Sequence, residues 1–255
     1  MENYTKDQKS LLNELNNRVL ELEQQLKDRD EFLAYAVHEL RGAVHNIYFI
    51  SNYMGEHWLN IIPFKQQEHV IVVKELAEYL KVLSEELLDF SLISLEKTEN
   101  NFTPINLVDI VSNSIQYCKK ASLQPRHLQI QFHNGGVSKA MINCSSHRIR
   151  QVVTNLLDNA IKYGDKGLIS IGLELNAQNG INYWQLSISD QGIGIPEEEL
   201  ELIFKPFFRS KKSKKLPGHG VGLAICQKIS NNHNGILKAV NNKNKGSTFY
   251  FSIPA

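Results

Sequence analysis

The stretch Asp190-Gln-Gly-Ile-Gly-Ile-Pro196 decides the fold of the C-terminal part of the chain. It follows Trp184-Gln-Leu-Ser-Ile-Ser189, whose alternating apolar residues predict a strand with one face in a core. An acidic segment that begins at Glu197 follows and predicts the start of a helix. The two glycines allow a sharp turn close to a ligand, where the Asp190 carboxylate can accept a hydrogen bond. By itself, such a turn is equally consistent with a plain connection between strand and helix.

Upstream of this turn, the segment from Ser145 to Tyr163 predicts an amphipathic helix with a serine at its start. Its apolar stripe consists of Ile149, Val152, Val153, Leu156, Leu157, Ala160 and Ile161. Asn155, Asn159 and Lys162 form a row on the opposite side. Because asparagine is a poor helix former, a polar ligand explains this row better than solvent exposure does. An amide oxygen there suits Mg²⁺, which prefers oxygen ligands.

Downstream of the turn, Gly218-His-Gly-Val-Gly-Leu-Ala-Ile-Cys-Gln-Lys-Ile229 predicts a glycine-rich loop that leads into a helix. Backbone amides and the positive end of the helix dipole at such a place favour phosphate. The preceding run, Ser210-Lys-Lys-Ser-Lys-Lys-Leu-Pro217, is polar and basic. It predicts a lid whose lysines neutralise phosphate charge, or alternatively an ordinary solvated loop.

In this order, the blocks resemble the nucleotide site of the sensor histidine kinases. The matched segments are Asn155–Lys162 (N box), Asp190–Gly194 (G1 box), Phe204–Arg209 (F box), Gly218–Gly222 (G2 box) and Gly246–Phe249 (closing strand motif). The resemblance extends from about residue 31 to residue 255. It implies an ATP site, with ATP and Mg²⁺ as the cofactors.

The resemblance also implies roles for single residues. Asp190 would recognise the adenine amino group, Tyr163 would flank the base, and Asn159 would hold Mg²⁺. The further implied contacts to ATP are Asn155, Lys162, Gly192, Gly194, Arg209, Gly218, Gly220, Gly222, Leu223 and Thr248. Of these, Asn155, Lys162 and the glycine-rich loop would contact the phosphates, and Arg209 would be a contact from the lid.

A second block, Glu31–Arg41, resembles the H box of the same kinases. There, His38 would accept the phosphoryl group, with Glu39 as its catalytic neighbour. A neutral imidazole nitrogen is a competent nucleophile near pH 7. An adjacent carboxylate can hold the proton on the other ring nitrogen and so raise the basicity of the first. His45, two helical turns further along the same face, is the competing candidate.

Three positions around His38 depart from the family pattern. Val37 replaces a small polar residue, and Gly42 with Ala43 replaces Thr-Pro or Asn-Pro. Because Ala43 keeps the backbone hydrogen bond that proline would remove, we expect a continuous helix here that is soft at Gly42. Gly42 has no side chain to orient a water, so we also expect weak phosphatase activity toward a phosphorylated partner.

The N-terminal third predicts two long helices. Residues 7 to 30 carry apolar residues at heptad spacing, which indicates a coiled coil or, alternatively, one amphipathic helix packed on its own domain. These residues are Leu12, Leu15, Val19, Leu22 and Leu26. The helix is expected to reach about Ile62, with a turn at 63–67 and a second helix over about 67–96. Two such helices cannot bury their apolar stripes alone, so we predict a homodimer with a four-helix bundle.

We therefore predict three segments: a coiled-coil signalling helix at 1–30, a dimerisation and histidine-phosphotransfer hairpin at 31–98, and an ATP-binding domain at 102–255. In the last segment, strands are expected at 102–105, 127–132, 140–144, 168–175, 183–189, 236–240 and 248–253, with a helix at 107–121. The two central strands should form a hairpin around Asn179-Gly180. This mixture predicts an α/β sandwich.

The composition argues against several functions. A net charge of +1, from 28 basic and 27 acidic residues, gives no reason to expect nucleic acid or a membrane surface as a partner. Cys118, Cys144 and Cys226 form no Cys-x-x-Cys pair, which argues against zinc or a disulfide framework and for a reducing compartment. No apolar run approaches the roughly 20 residues of a membrane span. We expect a cytoplasmic chain, or the cytoplasmic part of a longer, membrane-attached sensor.

The sequence thus predicts a protein-histidine kinase that autophosphorylates on His38 with MgATP. The phosphoryl group would pass to an aspartate in the receiver domain of a response regulator. Two alternatives remain: an ATPase or serine kinase of the same superfamily, which would not need the His38 helix, and a non-catalytic scaffold that retains the nucleotide site. A base-stable and acid-labile phosphoprotein would identify the first of these three functions.

Overall fold

A computed structural model describes residues 2–58, 61, 63–95, 102–121, 128–164, 167–178, 180–213, 216 and 218–255. The chain forms two compact units, Met1–Glu96 and Lys97–Ala255. None of the helices within the described ranges carries an apolar stretch long enough to cross a membrane.

In the part of the first unit that the structure describes, there are two helices, α1 (Glu2–His57) and α2 (Phe64–Leu95). Helix α1 passes through Gly42 without interruption, which confirms the expected continuous helix. Apolar residues that include Val70, Ala77 and Leu88 are buried in this unit. The hairpin therefore has a small core of its own.

The turn between these helices lies earlier than predicted. Helix α1 ends at His57, short of the expected end near Ile62, and α2 begins at Phe64. The predicted turn over 63–67 is wrong because residues 64–67 are helical and Pro63 directly precedes the first residue of the second helix. Proline suits the beginning of a helix, where its missing N–H is not needed, and the Gln66 amide donates to the Pro63 carbonyl at 2.8 Å.

The heptad residues of α1 whose side chains are described lie on its surface. Leu15 is 55% exposed, Val19 52% and Leu26 50%. The side chain of Leu12 lies outside the described residues. Within this chain, these three apolar residues are therefore not covered by their own unit, which favours the coiled-coil interpretation over the single packed helix.

The second unit is a mixed α/β fold. Its strands are β1 (Thr103–Asn106), β2 (Leu128–His133), β3 (Met141–Cys144), β4 (Gly167–Gln178), β5 (Ile181–Ser189), β6 (Ile236–Asn241) and β7 (Ser247–Pro254). Five of them form one sheet in the order β2-β4-β5-β7-β6, in which only β2 and β4 pair in parallel. Strands β1 and β3 form a separate antiparallel pair.

The described residues of this unit also form three α-helices: α3 (Leu107–Ala121), α4 (Ser146–Tyr163) and α5 (Gly222–Asn232). The predicted stripe of α4 is buried, except that Ile161 is only partly covered. In β5, Trp184, Leu186 and Ile188 are buried in alternation. The two patterns meet in one core because a helix stripe and a strand face each need an apolar partner.

Two local predictions need correction. The acidic segment after the turn forms the short 3₁₀ turn Glu197–Glu199 and not an α-helix, and a second 3₁₀ turn, Leu202–Phe204, follows. The second turn ends at Lys205, which is extended because the following Pro206 disfavours helical geometry in the residue before it. The central strands run further than predicted, to Gln178 and from Ile181. Gly180 of the predicted connection has φ of +80°, and Asn179 lies outside the described residues.

One residue that sequence analysis did not single out joins α4 to α5. His233 follows the last residue of α5 and is buried; its Nδ1 donates to the Ile229 carbonyl at 2.8 Å, and its Nε2 accepts from the Ser145 amide at 3.2 Å. Phe102 stacks on the same ring at 4.5 Å between centroids. Ser145 occupies the N-cap position of α4 as predicted, but its side chain forms no capping hydrogen bond.

Candidate nucleotide-binding site

Asp190 lies at the end of β5 and is only 3% exposed. Its Oδ1 accepts hydrogen bonds from the amides of Gly192 at 2.7 Å and Ser247 at 3.3 Å, and its Oδ2 accepts one from the Ser247 hydroxyl at 2.8 Å. A carboxylate oxygen can accept two hydrogen bonds. These contacts fix the carboxylate while leaving Oδ2 with capacity for one more donor.

The end of α4 lies directly against the turn after Asp190. The Ile193 amide donates to the Tyr163 carbonyl at 3.3 Å. A Cβ at Gly192 would collide with that same carbonyl oxygen, so glycine is required for this close approach. Tyr163, predicted to flank a bound base, and Asp190 therefore belong to the same corner of the fold.

The polar row of α4 extends from this corner to the glycine-rich loop. Asn155 Nδ2 donates to the Gly222 carbonyl at 3.3 Å. At the other end of the row, Lys162 Nζ would lie 2.5 Å from a Cβ placed on Gly218. The same Nζ lies 4.7 Å from the centre of the Tyr163 ring, a cation–π distance. Asn159 lies between the two ends and is partly exposed.

The glycine-rich loop connects the F-box segment to α5. The Gly220 carbonyl accepts a hydrogen bond from the Phe207 amide at 2.9 Å. Gly222 is the first residue of α5 and Leu223 the second. Because the first amides of a helix have no acceptor within the helix, this end of α5 suits an anion.

The Arg209 side chain donates hydrogen bonds to backbone carbonyls of the basic segment, residues 210–217. Its Nη2 donates to the Ser213 carbonyl at 3.0 Å and also to the Leu216 carbonyl. Lys212 Nζ donates to the Ile193 carbonyl at 3.4 Å, so the segment contacts the turn after Asp190. Residues 214, 215 and 217 of the predicted lid lie outside the described residues.

Of the two hydroxyl residues at the start of β7, the one next to Asp190 is Ser247. Thr248, which sequence analysis selected, is paired with Ser189 in the sheet register. Its Oγ1 lies 2.9 Å from Ser189 Oγ and donates to Asn242 Oδ1 at 2.6 Å. Successive side chains of a strand point to opposite faces, so only one of the pair can reach Asp190. The strand alternation was visible in the sequence, but the register was not.

The three cysteines of this unit are free and buried. Burial raises the pKa of each thiol to about 12, and the neighbouring Asp158 carboxylate adds to the effect at Cys118. Cys118 Sγ lies 3.5 Å from Asp158 Oδ1, and burial also raises the pKa of Asp158. Thiols held in the protonated form do not act as nucleophiles or metal ligands.

The candidate phosphoacceptor belongs to the helical unit. His38 lies on α1 and is exposed, while the neighbouring Val37 is buried. The side chain of Glu39 lies outside the described residues. One turn further on, a Cβ placed on Gly42 would have no heavy atom within 4 Å, so this position has room for a side chain.

Comparison with known proteins agrees with this geometry. Residues 144–255 match the family of histidine kinase-, DNA gyrase B- and HSP90-like ATPases. The chain is 29% identical over 238 residues to the autoinducer 2 sensor kinase/phosphatase LuxQ of Vibrio vulnificus, covering 92% of this chain and 27% of LuxQ. It is 32% identical over 241 residues to the adaptive-response sensory kinase SasA of Prochlorococcus marinus, covering 91% of this chain and 59% of SasA.

A solved structure shows the same fold. The catalytic domain of the histidine kinase ThkA superposes with a TM-score of 0.52 at 31% identity, covering 60% of this chain and 97% of that domain. The C-terminal unit is therefore an ATPase domain of the histidine kinase, gyrase and HSP90 type. The chain belongs to the sensor histidine kinases and carries their catalytic core. It spans between about a quarter and three fifths of the length of the two relatives above.

Proposed function

We propose that this chain is a protein-histidine kinase that transfers the γ-phosphoryl group of MgATP to His38 and from there to an aspartate of a response regulator. One observation carries the proposal: a single row on α4 reaches the glycine-rich loop while the end of the same helix contacts the Asp190 turn. A site with a buried acceptor at one end and a lysine with helix amides at the other matches a nucleotide in both polarity and charge.

The base would lie at the Asp190 corner. Asp190 Oδ2, which accepts one hydrogen bond from Ser247, would accept another from the adenine amino group. Gly192 and Gly194 would let the ligand approach the backbone, and Tyr163 would flank the ring. Thr248 supports this corner from the next strand position through its contacts to Ser189 and Asn242.

The phosphates would lie at the glycine-rich loop. Lys162, beside Gly218, supplies positive charge, and Asn155 holds the carbonyl of Gly222 at the start of α5. Arg209 would act from the lid segment that it already holds. The loop residues assigned to this role are Gly218, Gly220, Gly222 and Leu223.

Asn159 would hold Mg²⁺. Its partly exposed position between Asn155 and Lys162 offers an amide oxygen, the hard ligand that this ion prefers. When bound, Mg²⁺ neutralises phosphate charge in phosphoryl transfer. The residues of this chain supply the positioning, which accounts for most of the catalysis in such reactions.

The transfer itself requires His38. A neutral ring nitrogen forms the bond to the γ-phosphorus in line with the bond to ADP, which breaks. Glu39, next in sequence, would hold the proton of the other ring nitrogen. His38 is exposed, which gives a second macromolecule access to it.

The helical unit would function as a homodimer with a four-helix bundle. On α2, Val73 is 46% exposed, Leu76 56% and Leu80 42%. Their spacing of three and four residues places them on one face, and a second copy of the hairpin would cover that face. Together with the heptad residues of α1, this surface supports association through a two-fold axis.

Incubation with γ-labelled ATP and Mg²⁺ tests the function directly. We expect label that is stable in base and lost in acid. His38→Gln should abolish labelling and leave ATP binding unchanged, whereas the matched variant His45→Gln should keep most of the label. Label that survives in His38→Gln refutes the assignment, acid-stable label indicates a serine kinase, and nucleotide binding without label indicates a scaffold.

From the residue one turn after His38, we also infer that this chain has only weak phosphatase activity toward the regulator. LuxQ is named a kinase/phosphatase, but this chain has Gly42, which offers no side chain to hold a water one turn after His38. Phosphotransfer from His38 does not need that side chain. Two samples of purified phosphorylated regulator are compared, one alone and one mixed with the His38→Gln variant, ADP and Mg²⁺. Both should lose phosphate at the same slow rate. An accelerated loss with this variant contradicts the inference. Because Gly42 has room for a side chain, Gly42→Asn tests whether the activity can be created.

A further inference from the structure

Two consecutive asparagines at the end of β6 hold the two ends of the Asp190–Pro196 turn. At its start, Asn242 Nδ2 donates to the Asp190 carbonyl at 2.8 Å. Near its end, Asn241 Oδ1 accepts from the Ile195 amide at 2.9 Å, and Asn241 Nδ2 donates to the Ile195 carbonyl at 2.6 Å. The Asn241 side chain thus pairs with both backbone groups of one residue, as a neighbouring strand would.

The donors and acceptor of the Asn241 side-chain amide match the groups around it, which are the Ile195 amide, the Ile195 carbonyl and the Glu197 carboxylate. A primary amide carries one acceptor oxygen and two N–H donors. The oxygen is used by the Ile195 amide, and Nδ2 donates both to the Ile195 carbonyl and to Glu197 Oε1, the latter at 3.2 Å. An aspartate could replace only the acceptor, and it would place a negative charge against a carbonyl and a carboxylate.

The middle of the turn depends on this anchor. Gly194 adopts φ of +63°, a conformation that glycine reaches without strain and leaves as easily. The hydrogen bond from Ile193 to Tyr163 is long, at 3.3 Å. Asp190 fixes the first half of the turn through Ser247 and the Gly192 amide. The contact of Lys212 Nζ with the Ile193 carbonyl is also long, at 3.4 Å. A turn released at Ile195 would sample more conformations, and a ligand would have to order it on binding.

We propose that Asn241 is a positioning residue for the nucleotide base, because it fixes the turn in its binding conformation before the ligand arrives. The proposal rests on the proposed function, in which this turn receives adenine. Asn241→Ala should weaken the binding of ADP and of MgATP by the same factor, about tenfold, which corresponds to about 1.4 kcal/mol. The two nucleotides should respond equally because the turn faces the base, which they share.

Titration calorimetry on the whole chain tests the proposal, with ADP and MgATP as probes. Asn244→Ala is the matched control, since Asn244 is exposed in the same connection between β6 and β7 and should bind as the wild type does. Asn241→Asp should bind at least as weakly as Asn241→Ala. Adding Glu197→Gln to Asn241→Asp should recover part of the loss, because it removes the facing carboxylate.

Two further readouts separate positioning from a general structural role. In autophosphorylation, Asn241→Ala should raise KM for ATP and leave the rate at saturating ATP unchanged. Its melting temperature without ligand should lie only slightly below that of Asn244→Ala, because the lost hydrogen bonds are local and the Asn241 side chain is only partly covered. Unchanged ADP affinity in Asn241→Ala overturns the proposal, and so does a lowered melting temperature with a lowered saturated rate. If the wild-type chain binds no adenine nucleotide, the proposed function fails. If it binds and the variant binds equally well, only the role of Asn241 fails.

Discussion

The helical unit and the C-terminal unit differ in how far they bury their large apolar side chains. On the helices, Phe49 is 71% exposed and Leu76 56%, whereas in the C-terminal unit Leu156 and Phe251 are fully buried. A sheet covered by three helices encloses a core within one chain, but two antiparallel helices leave most of their apolar stripes uncovered. The catalytic unit therefore encloses its own core, whereas the helical unit leaves an apolar surface that the proposed second copy would cover.

The largest expected effect comes from the same substitution made in the two units. Leu156→Ala removes a fully buried side chain and should cost about 2–5 kcal/mol of the stability of the C-terminal unit at any protein concentration. Leu76→Ala should change the stability of the helical unit in a concentration-dependent way, because in the proposed dimer Leu76 would contact a second copy. Trp184 fluorescence during urea unfolding, in a Trp58→Phe background, reports on the C-terminal unit alone.

Sedimentation equilibrium completes this comparison. The wild-type chain should be a dimer, and Leu76→Ala should shift it toward the monomer while Leu156→Ala does not. Two results would contradict the view that only the helical unit depends on a second copy. One is a monomeric wild-type chain, and the other is an effect of Leu76→Ala on stability that does not change with protein concentration.

The elements of the C-terminal unit could be predicted well because local pattern and tertiary packing agree there. Helix α3 has the expected bounds of Leu107–Ala121, and the buried stripe of α4 follows from its periodicity. The misplaced turn near Pro63 shows where local rules conflict, since proline marks both turns and helix starts. No periodicity reports which strands are neighbours, so the separate pairing of β1 with β3 was not predictable.

The second prediction concerns the row on α4. Asn159→Ala should reduce autophosphorylation on the order of a hundredfold, or about 2.7 kcal/mol, because it removes the proposed oxygen ligand of Mg²⁺. Its melting temperature should stay near that of the wild type, since Asn159 is only partly covered. Asn113→Ala, an exposed asparagine on α3, is the matched control.

A Mg²⁺ titration of the autophosphorylation rate distinguishes metal binding from folding. Asn159→Ala should need more Mg²⁺ for its half-maximal rate, and Asn113→Ala should not. A large fall in melting temperature with an unchanged Mg²⁺ requirement would make Asn159 structural.

The candidate site was predictable to the extent that it depends on spacing along the chain. Asn155 and Lys162 lie on one helix, so their common approach to the glycine-rich loop follows from a period of 3.6 residues. Ser247 and Asn241 act across strands, at sequence separations of 57 and 46 residues from Asp190 and Ile195. Their partners depend on strand register, which a single sequence does not reveal.

The third prediction uses pH to separate the two units. All three cysteines lie in the C-terminal unit, where burial raises the pKa of the thiols from 9.0 to about 12. Because the folded state holds these protons more tightly than the unfolded state, the stability from burial is complete below pH 9 and is lost as the pH rises toward 12. The loss should be on the order of 1 kcal/mol per thiol by about pH 10.

Urea unfolding between pH 7 and pH 10.5 measures this loss. Trp184 fluorescence should show it for the C-terminal unit, and Cys226→Ala should reduce the slope against pH. The helical unit contains no cysteine and serves as the internal reference. An unchanged slope in Cys226→Ala would assign the alkaline loss to other groups.

The smallest expected effect compares one glycine from each unit. Gly42 lies inside α1, and a Cβ there would meet no heavy atom within 4 Å. Gly42→Ala should therefore stabilise the helical unit by about 0.5–1 kcal/mol, the difference in helix propensity between the two residues. Gly192→Ala should instead destabilise the C-terminal unit, because its Cβ would collide with the Tyr163 carbonyl. Thermal unfolding of both variants measures the opposite signs. A Gly42→Ala chain that melts earlier than the wild type would show that this position needs glycine for packing against a second copy.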